Sequence, residues 1–165
     1  MERNPHEMSQ SVQALKNPQK EAKRVLIGEY YHNLDVKGRV SIPSKFRDDL
    51  GGSFVLSRGL DDCLYMHSAA EWDNFKTEID AMHGKEGRIV KRFFYSGATE
   101  CEIDSQGRVV VPPIFREFAK LDKEVVIVGV STHAELWDRK KWEDYKKDST
   151  FDGEQIANIM DDIGF

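Results

Sequence analysis

One stretch of this chain is written twice. Residues 35–47 read DVKGRVSIPSKFR, and residues 104–116 read DSQGRVVVPPIFR, 69 positions later. Seven of the thirteen positions are identical: Asp35, Gly38, Arg39, Val40, Pro43, Phe46 and Arg47 match Asp104, Gly107, Arg108, Val109, Pro112, Phe115 and Arg116. Ile42 and Val111 correspond conservatively. Further on, Trp72 and Phe75 match Trp142 and Tyr145 at a spacing of 70, after one inserted residue. A repeat of this period makes the chain two copies of one small supersecondary unit. Such a unit buries too little surface to stand alone. The copies are therefore expected to pack about a pseudo-twofold axis, share a core, and bring the two repeated turns to one face.

Each copy has a readable local structure. GEYYHNL before Asp35 and ATECEI before Asp104 are rich in β-forming residues, as are RVSIP and RVVVP after the turns, so all four read as strands. Between them lies Asp-x-x-Gly. An Asp at the first turn position can accept from the backbone ahead of it, and a Gly at the fourth can take the left-handed conformation that closes a hairpin with a bulge. Arg39 and Arg108 follow at the base of these hairpin turns. Pro43 and the Pro112–Pro113 pair suit the first turn of a helix. SKFRDDL and PIFREFAKL continue it, and Gly51 and Gly52 stop the first of these helices. Two strands come next in each copy, SFVLSR and CLYMH, then EVVIVGV and AELWD. A second helix closes each copy. In the first it runs over SAAEWDNFKTEIDAM, with a Ser68/Glu71 capping box and Trp72, Phe75, Ile79 and Met82 along one face. In the second it is DRKKWEDYKK. A connecting helix is expected at 86–96, with Ile89, Val90, Phe93 and Phe94 buried and Gly97 ending it.

The chain has 165 residues, 39% of them hydrophobic and 32% charged, which permits a folded core. No apolar run is long enough to cross a membrane, and the opening residues MERNPHEMSQSVQALKNPQK contain no signal-peptide stretch. Cys63 and Cys101 stand in unrelated contexts, so a reducing cytoplasm is the default. Net charge is −5. That opposes nucleic-acid binding unless positive charge is concentrated locally.

GEYYHNLDVKGRVSIPSKFR, ATECEIDSQGRVVVPP and AELWDRKKW together resemble the MraZ family, over residues 25 to about 147. Its modules are similar to those of AbrB and MazE, so the implied fold is α+β: two tandem, pseudo-twofold-related β-barrel modules of swapped-hairpin type with flanking helices. The expected division is a disordered extension at 1–24, a first module at 25–85, a connecting helix at 86–97, a second module at 98–147 and an acidic tail or short helix at 148–165. The resemblance also implies a cytoplasmic, nucleoid-associated transcription factor. It would bind short G-rich direct repeats upstream of a cell-division and cell-wall gene cluster that includes its own gene, and assemble with itself into rings. Arg39 and Arg108 match the family's DNA-contacting arginines, and Asp35 and Asp104 match the motif's acidic partners. Gly38 and Gly107 belong to the same turns, and Lys37 at the first tip is placed for phosphate. Double-stranded promoter DNA and further copies of the chain are the expected partners, with no cofactor, metal, membrane or small-molecule substrate.

The residues agree with this reading. An arginine on a rigid turn can fork onto guanine O6 and N7 in the major groove, and a neighbouring Asp can orient the guanidinium beforehand. Residues 35–47 carry Lys37, Arg39, Lys45 and Arg47 against one acid, while 104–116 carry only Arg108 and Arg116. The first copy is therefore expected to contribute more salt-dependent affinity. Arg47 and Arg116, on the following helices, read as structural or inter-subunit residues.

Other classes fare worse. The paired aspartates invite comparison with an aspartic-protease dyad, but each sits on a polar turn beside Lys or Arg, where neither would be held protonated. Cys63 and His67, with His133 elsewhere, lack the paired close ligands of structural zinc. Trp72, Trp137 and Trp142 stand at core spacing. The alternative from another class is an antitoxin-like protein-binding module, using the acidic segment with Asp152, Glu154, Asp161 and Asp162. Residues 1–24 are polar and lack an apolar period. Lys20-Glu21-Ala22 can be encoded by a ribosome-binding sequence ahead of a GTG codon for Val25, so initiation is expected at Val25.

Overall fold

The computed structural model describes residues 25–148 and 151–165; the expectations for residues 1–24 lie outside them. In chain order the first half comprises β1 (Leu26–Asn33), β2 (Arg39–Ser41), α1 (Ser44–Leu50), β3 (Ser53–Arg58), β4 (Leu64–His67), α2 (Ala69–Asp80) and α3 (Gly84–Ser96). The second half comprises β5 (Ala98–Glu102), β6 (Arg108–Val110), α4 (Pro113–Phe118), β7 (Glu124–Ser131), β8 (His133–Asp138), α5 (Arg139–Asp148) and α6 (Gly153–Asp162).

Local chemistry fixes most of these limits. Pro43 and Pro112 cap α1 and α4, with Pro113 at the first helical position of α4, where a missing N–H costs nothing. Ser68 Oγ accepts from Glu71 N at 3.2 Å and Asp138 Oδ2 from Lys141 N at 3.2 Å. These are equivalent caps on equivalent helices, 70 residues apart.

The two halves are interleaved. The large antiparallel sheet has the order β1-β7-β8-β4-β3-β5, and β2 and β6 form a separate two-stranded ribbon. Under the repeat, β1 corresponds to β5, β3 to β7 and β4 to β8, so the order reads the same from either edge. At the sheet centre Leu64 pairs with Leu136, Tyr65 with Glu135 and Met66 with Ala134. Residues 64, 65 and 66 are the repeat equivalents of 134, 135 and 136, so the pseudo-dyad passes through the Tyr65–Glu135 pair. In the ribbon Arg39 pairs with Val110, Val40 with Val109 and Ser41 with Arg108. The same axis therefore passes through Val40–Val109.

Period-two alternation sorts the sheet into two faces. One carries Phe54, Leu56, Leu64, Met66, Val125, Ile127 and Leu136 against Val40, Val109, Ile42, Val111, Phe46 and Phe115 of the ribbon and short helices. Burying each such side chain stabilises the fold by roughly 1.5–3 kcal/mol. The other face holds Cys63, Val126, Val128 and Trp137 beneath Trp142 of α5.

Several expectations are corrected. Among the described residues the strands do not close into two barrels; they form one open six-stranded sheet and a ribbon, because every strand pairing except the β3–β4 and β7–β8 hairpins joins the two halves. The Asp-x-x-Gly turns are likewise not the tips of continuous hairpins, since β1 pairs with β7 while β2 pairs with β6. On α3, Phe94 is buried and Val90 and Phe93 half-buried, but Ile89 is exposed, turned away from the sheet that Phe94 faces. Met82 lies beyond the end of α2 and is exposed.

His67 on β4 generates a testable consequence. Its ring is 3% exposed and stacks on Phe75 of α2 and on His133, each at 5.0 Å between centroids. Burial, with His133 as the smaller contribution, pushes its pKa from 6.5 down to about 4. Half-buried His32 shifts in the same direction, also through burial first. Unfolding frees both rings to take up protons near their ordinary value. Stability is thus complete above pH 6.5 and falls as pH drops towards 4, with His67 contributing up to about 3 kcal/mol. Urea midpoints measured between pH 7.5 and 4.5 should show this decline, and His67→Phe should flatten most of it.

Candidate nucleic-acid interface

The two turns are built alike, bond for bond. Asp35 N donates to Arg39 O at 3.0 Å and Gly38 N to Asp35 O at 3.0 Å; Asp104 N donates to Arg108 O at 2.8 Å and Gly107 N to Asp104 O at 2.9 Å. Asp35 Oδ1 accepts from the backbone N–H groups of Lys37 and Arg39, both at 2.9 Å, and its Oδ2 accepts from Arg39 Nε at 2.6 Å. Asp104 Oδ1 accepts from Gln106 N at 2.8 Å and Arg108 N at 2.9 Å, and its Oδ2 from Arg108 Nε at 3.2 Å. One carboxylate thus shapes the loop and holds the arginine that leaves it. The Arg39 and Arg108 backbone N–H groups are the main cause holding Asp35 and Asp104 below the usual carboxylate range. Both acids stay ionised through neutral pH, and both arginines stay paired.

Register then decides where the arginines go. Val40 and Val109 are paired and buried in the core. Side chains alternate along a strand, so Arg39, Ser41, Arg108 and Val110 occupy the opposite, outward face of the ribbon. Arg39 and Arg108 are diagonal neighbours on that face, a relation that typically sets residues about 7–8 Å apart. Tied through Nε, each guanidinium has no hydrogen bond from its terminal nitrogens among the described residues, leaving the fork that reads paired acceptors. Lys37 is exposed at the first tip and Val36 is fully so. The expected sharing of one face by both turns is therefore realised, through a ribbon contributed by both halves.

Each turn is latched to the other half on both shoulders. Leu34 N donates to Lys123 O and Ile103 N to Gly52 O; Ile42 N donates to Gly107 O and Val111 N to Gly38 O, at 2.8–2.9 Å. The turn glycines are buried although the tips are not, because helix arginines cover them. A Cβ on Gly38 would lie 2.9 Å from Cζ of Arg116, and one on Gly107 would be closer still to the Arg47 guanidinium. Arg47 and Arg116 thus lie against each other's turns. Arg47 thus adds to the second turn and Arg116 to the first; trading one arginine for another leaves the charge comparison between the copies unchanged, and at the tips themselves the difference is Lys37 against Gln106. Nothing in linear order signals this exchange; only the β2–β6 pairing brings it about.

Among the described residues no group of three His, Cys, Asp or Glu side chains is placed to hold a metal ion. Cys63 and Cys101 are buried thiols raised above their ordinary range by burial. No helix among the described residues is long and apolar enough to cross a membrane.

Comparison with known proteins agrees with the repeat. A family model described as "MraZ protein, putative antitoxin-like" matches twice, over residues 25–93 and 94–162. The protein named transcriptional regulator MraZ from Alkaliphilus oremlandii (strain OhILAs) is 47% identical over 142 residues, covering 85% of this chain and 99% of that protein. Its namesake from Thermoanaerobacter sp. (strain X514) is 45% identical over 141 residues, covering 84% and 99%. That from Acetivibrio thermocellus is 48% identical over 139 residues, covering 83% and 97%.

The turn glycines supply a prediction independent of any ligand. Both have φ of +76°, where a side chain costs roughly 1–2 kcal/mol, and both face a guanidinium that must move. Gly38→Ala and Gly107→Ala should each lower the melting temperature by several degrees. Gly52→Ala, which meets open space, should leave it unchanged in the same thermal scan.

Proposed function

We propose that this chain, which belongs to the MraZ family, is a DNA-binding transcriptional regulator that reads short G-rich repeats with the outward face of its β2–β6 ribbon. The observation that carries this reading is the register that sets Arg39 and Arg108, each oriented by its own aspartate, on the one face of the ribbon turned away from the core, across the pseudo-dyad. A two-stranded ribbon fits the major groove, where an arginine fork matches guanine O6 and N7. Arginines about 7–8 Å apart span roughly two base steps of about 3.4 Å each. Lys37 serves phosphate and carries no sequence information. The role is recognition, with no bond made or broken.

The operators are expected upstream of a cell-division and cell-wall gene cluster that includes the chain's own gene, and the site of action is the cytoplasmic nucleoid. The halves are read as AbrB/MazE-like modules of swapped-hairpin type, which the exchange of strands between them supports. The net charge of −5 limits what one ribbon binds alone. Self-assembly into a ring answers this, because several ribbons on repeated boxes add through effective concentration. Light scattering at micromolar protein should give the mass of many subunits; a monomer would remove the multivalent part of the reading.

The decisive titration uses one operator fragment at several salt concentrations. Arg39→Ala should weaken binding about a hundredfold or more and Arg108→Ala about tenfold, within the range for loss of a base-reading arginine. The inequality follows from Lys37, which gives the first turn a phosphate contact that Gln106 does not supply. Lys37→Ala should weaken all sequences alike and flatten the salt dependence by about one unit of slope. Equal losses from the two arginines would make the turns equivalent, and no loss from either would remove the proposed surface.

A further inference from the structure

We propose that each DNA-facing turn is completed by an arginine of the opposite half, Arg116 bracing the Asp35–Arg39 turn and Arg47 bracing the Asp104–Arg108 turn. These are positioning residues for Arg39 and Arg108, and the proposal rests on the DNA-binding reading above. It departs from the linear order, in which Arg47 closes the same motif that begins with Asp35.

The geometry is repeated on both sides of the pseudo-dyad. Arg47 and Arg116 project from α1 and α4, which Phe46 and Phe115 anchor in the core one residue earlier. Each guanidinium then reaches the glycine of the other half's turn. A Cβ on Gly38 would meet Cζ, Nε and Nη1 of Arg116 at 2.9, 3.0 and 3.2 Å, and one on Gly107 would meet the same group of Arg47. The bare glycine is what lets a planar cation lie against the turn backbone. Neither arginine forms an ion pair with a carboxylate among the described residues. Arg47 Nε is held by Ile42 O at 2.8 Å, and Arg116 Nε is buried with no hydrogen-bond partner among the described residues. A burial this incomplete in its hydrogen bonds is costly, and its return is contact with the turn. The same turns are tied to the opposite half by Ile42 N to Gly107 O and Val111 N to Gly38 O. The braces therefore act on backbone already fixed at its shoulder, and hold the stretch from which Lys37 and Arg39 project.

Two readouts on the full chain test this. In amide nitrogen–proton spectra, Arg116→Lys should shift Lys37 and Gly38 and leave Gln106 and Gly107 in place, while Arg47→Lys should do the reverse. On one operator fragment, Arg116→Ala should weaken binding about tenfold. Arg116→Lys, which keeps the charge but not the plane, should recover only part of that. Combining Arg116→Ala with Lys37→Ala should cost less than the product of the single losses, whereas Arg47→Ala with Lys37→Ala should multiply. Full recovery by Arg116→Lys would reduce the arginine to a charge, and coupling of Lys37 to Arg47 in place of Arg116 would overturn the crossed arrangement. A wild-type chain that binds no operator overturns the DNA reading, and the amide shifts then decide the brace alone.

Discussion

The β2–β6 pairing is the contact on which the rest of this molecule depends. Each strand is three residues long and neither has a ladder partner in its own half. Three residues alone would not hold a strand in place. They are held because Val40 and Val109 meet on the axis and enter the core shared by both halves. Once that register is set, the outward face is fixed, the shoulders of the turns are tied across the axis, and Arg47 and Arg116 fall under the opposite glycines. A slip of one residue would bury the arginines and expose the valines.

The aspartate of each turn trades attraction for order. It neutralises much of the charge of the arginine it holds, which weakens long-range pull on phosphate. In exchange it removes rotamer freedom that would otherwise be lost on binding. On the proposed reading, a surface of this kind on a chain that is acidic overall would favour discrimination between sequences over indiscriminate adhesion. The tie is made with Nε, which leaves the two terminal nitrogens of Arg39 and Arg108 without a hydrogen bond among the described residues.

Much of this was legible in the sequence because the repeat carries its own chemistry. Asp-x-x-Gly specified the turn, Pro43 and Pro112–Pro113 the helix starts, and Ser68 with Glu71 the cap of α2. What stayed hidden was non-local. The residues of β1 suit a strand wherever it pairs, and nothing in LIGEYYHN says that its neighbour is β7 and not β2. Arg47 and Arg116 sit eight residues after Arg39 and Arg108, yet each lies against the turn of the opposite half, which linear order does not indicate. Hydrophobicity alone puts Ile89 inside, yet it is exposed, and Phe93 and Phe94 supply the contact that α3 makes. The acidic tail folds as α6, capped by Asp152 on Gln155 N, and its Ile156, Ile159 and Ile163 are exposed.

The pseudo-dyad bears on the polarity of what the ribbon would read under the proposed function. A reader with true twofold symmetry imposes that symmetry on its target, so its preferred sites are palindromes with no direction. Here the axis relates two turns that share Asp, Gly and Arg but differ at the tip, Val36-Lys37 on one side and Ser105-Gln106 on the other. Fusing the halves into one chain has let them diverge while the ribbon keeps them in fixed geometry. On the proposed DNA-binding reading, such a surface would distinguish the two ends of a box. Boxes arranged head to tail would then be read in one orientation, and an array of them would acquire a direction that a symmetric dimer could not perceive.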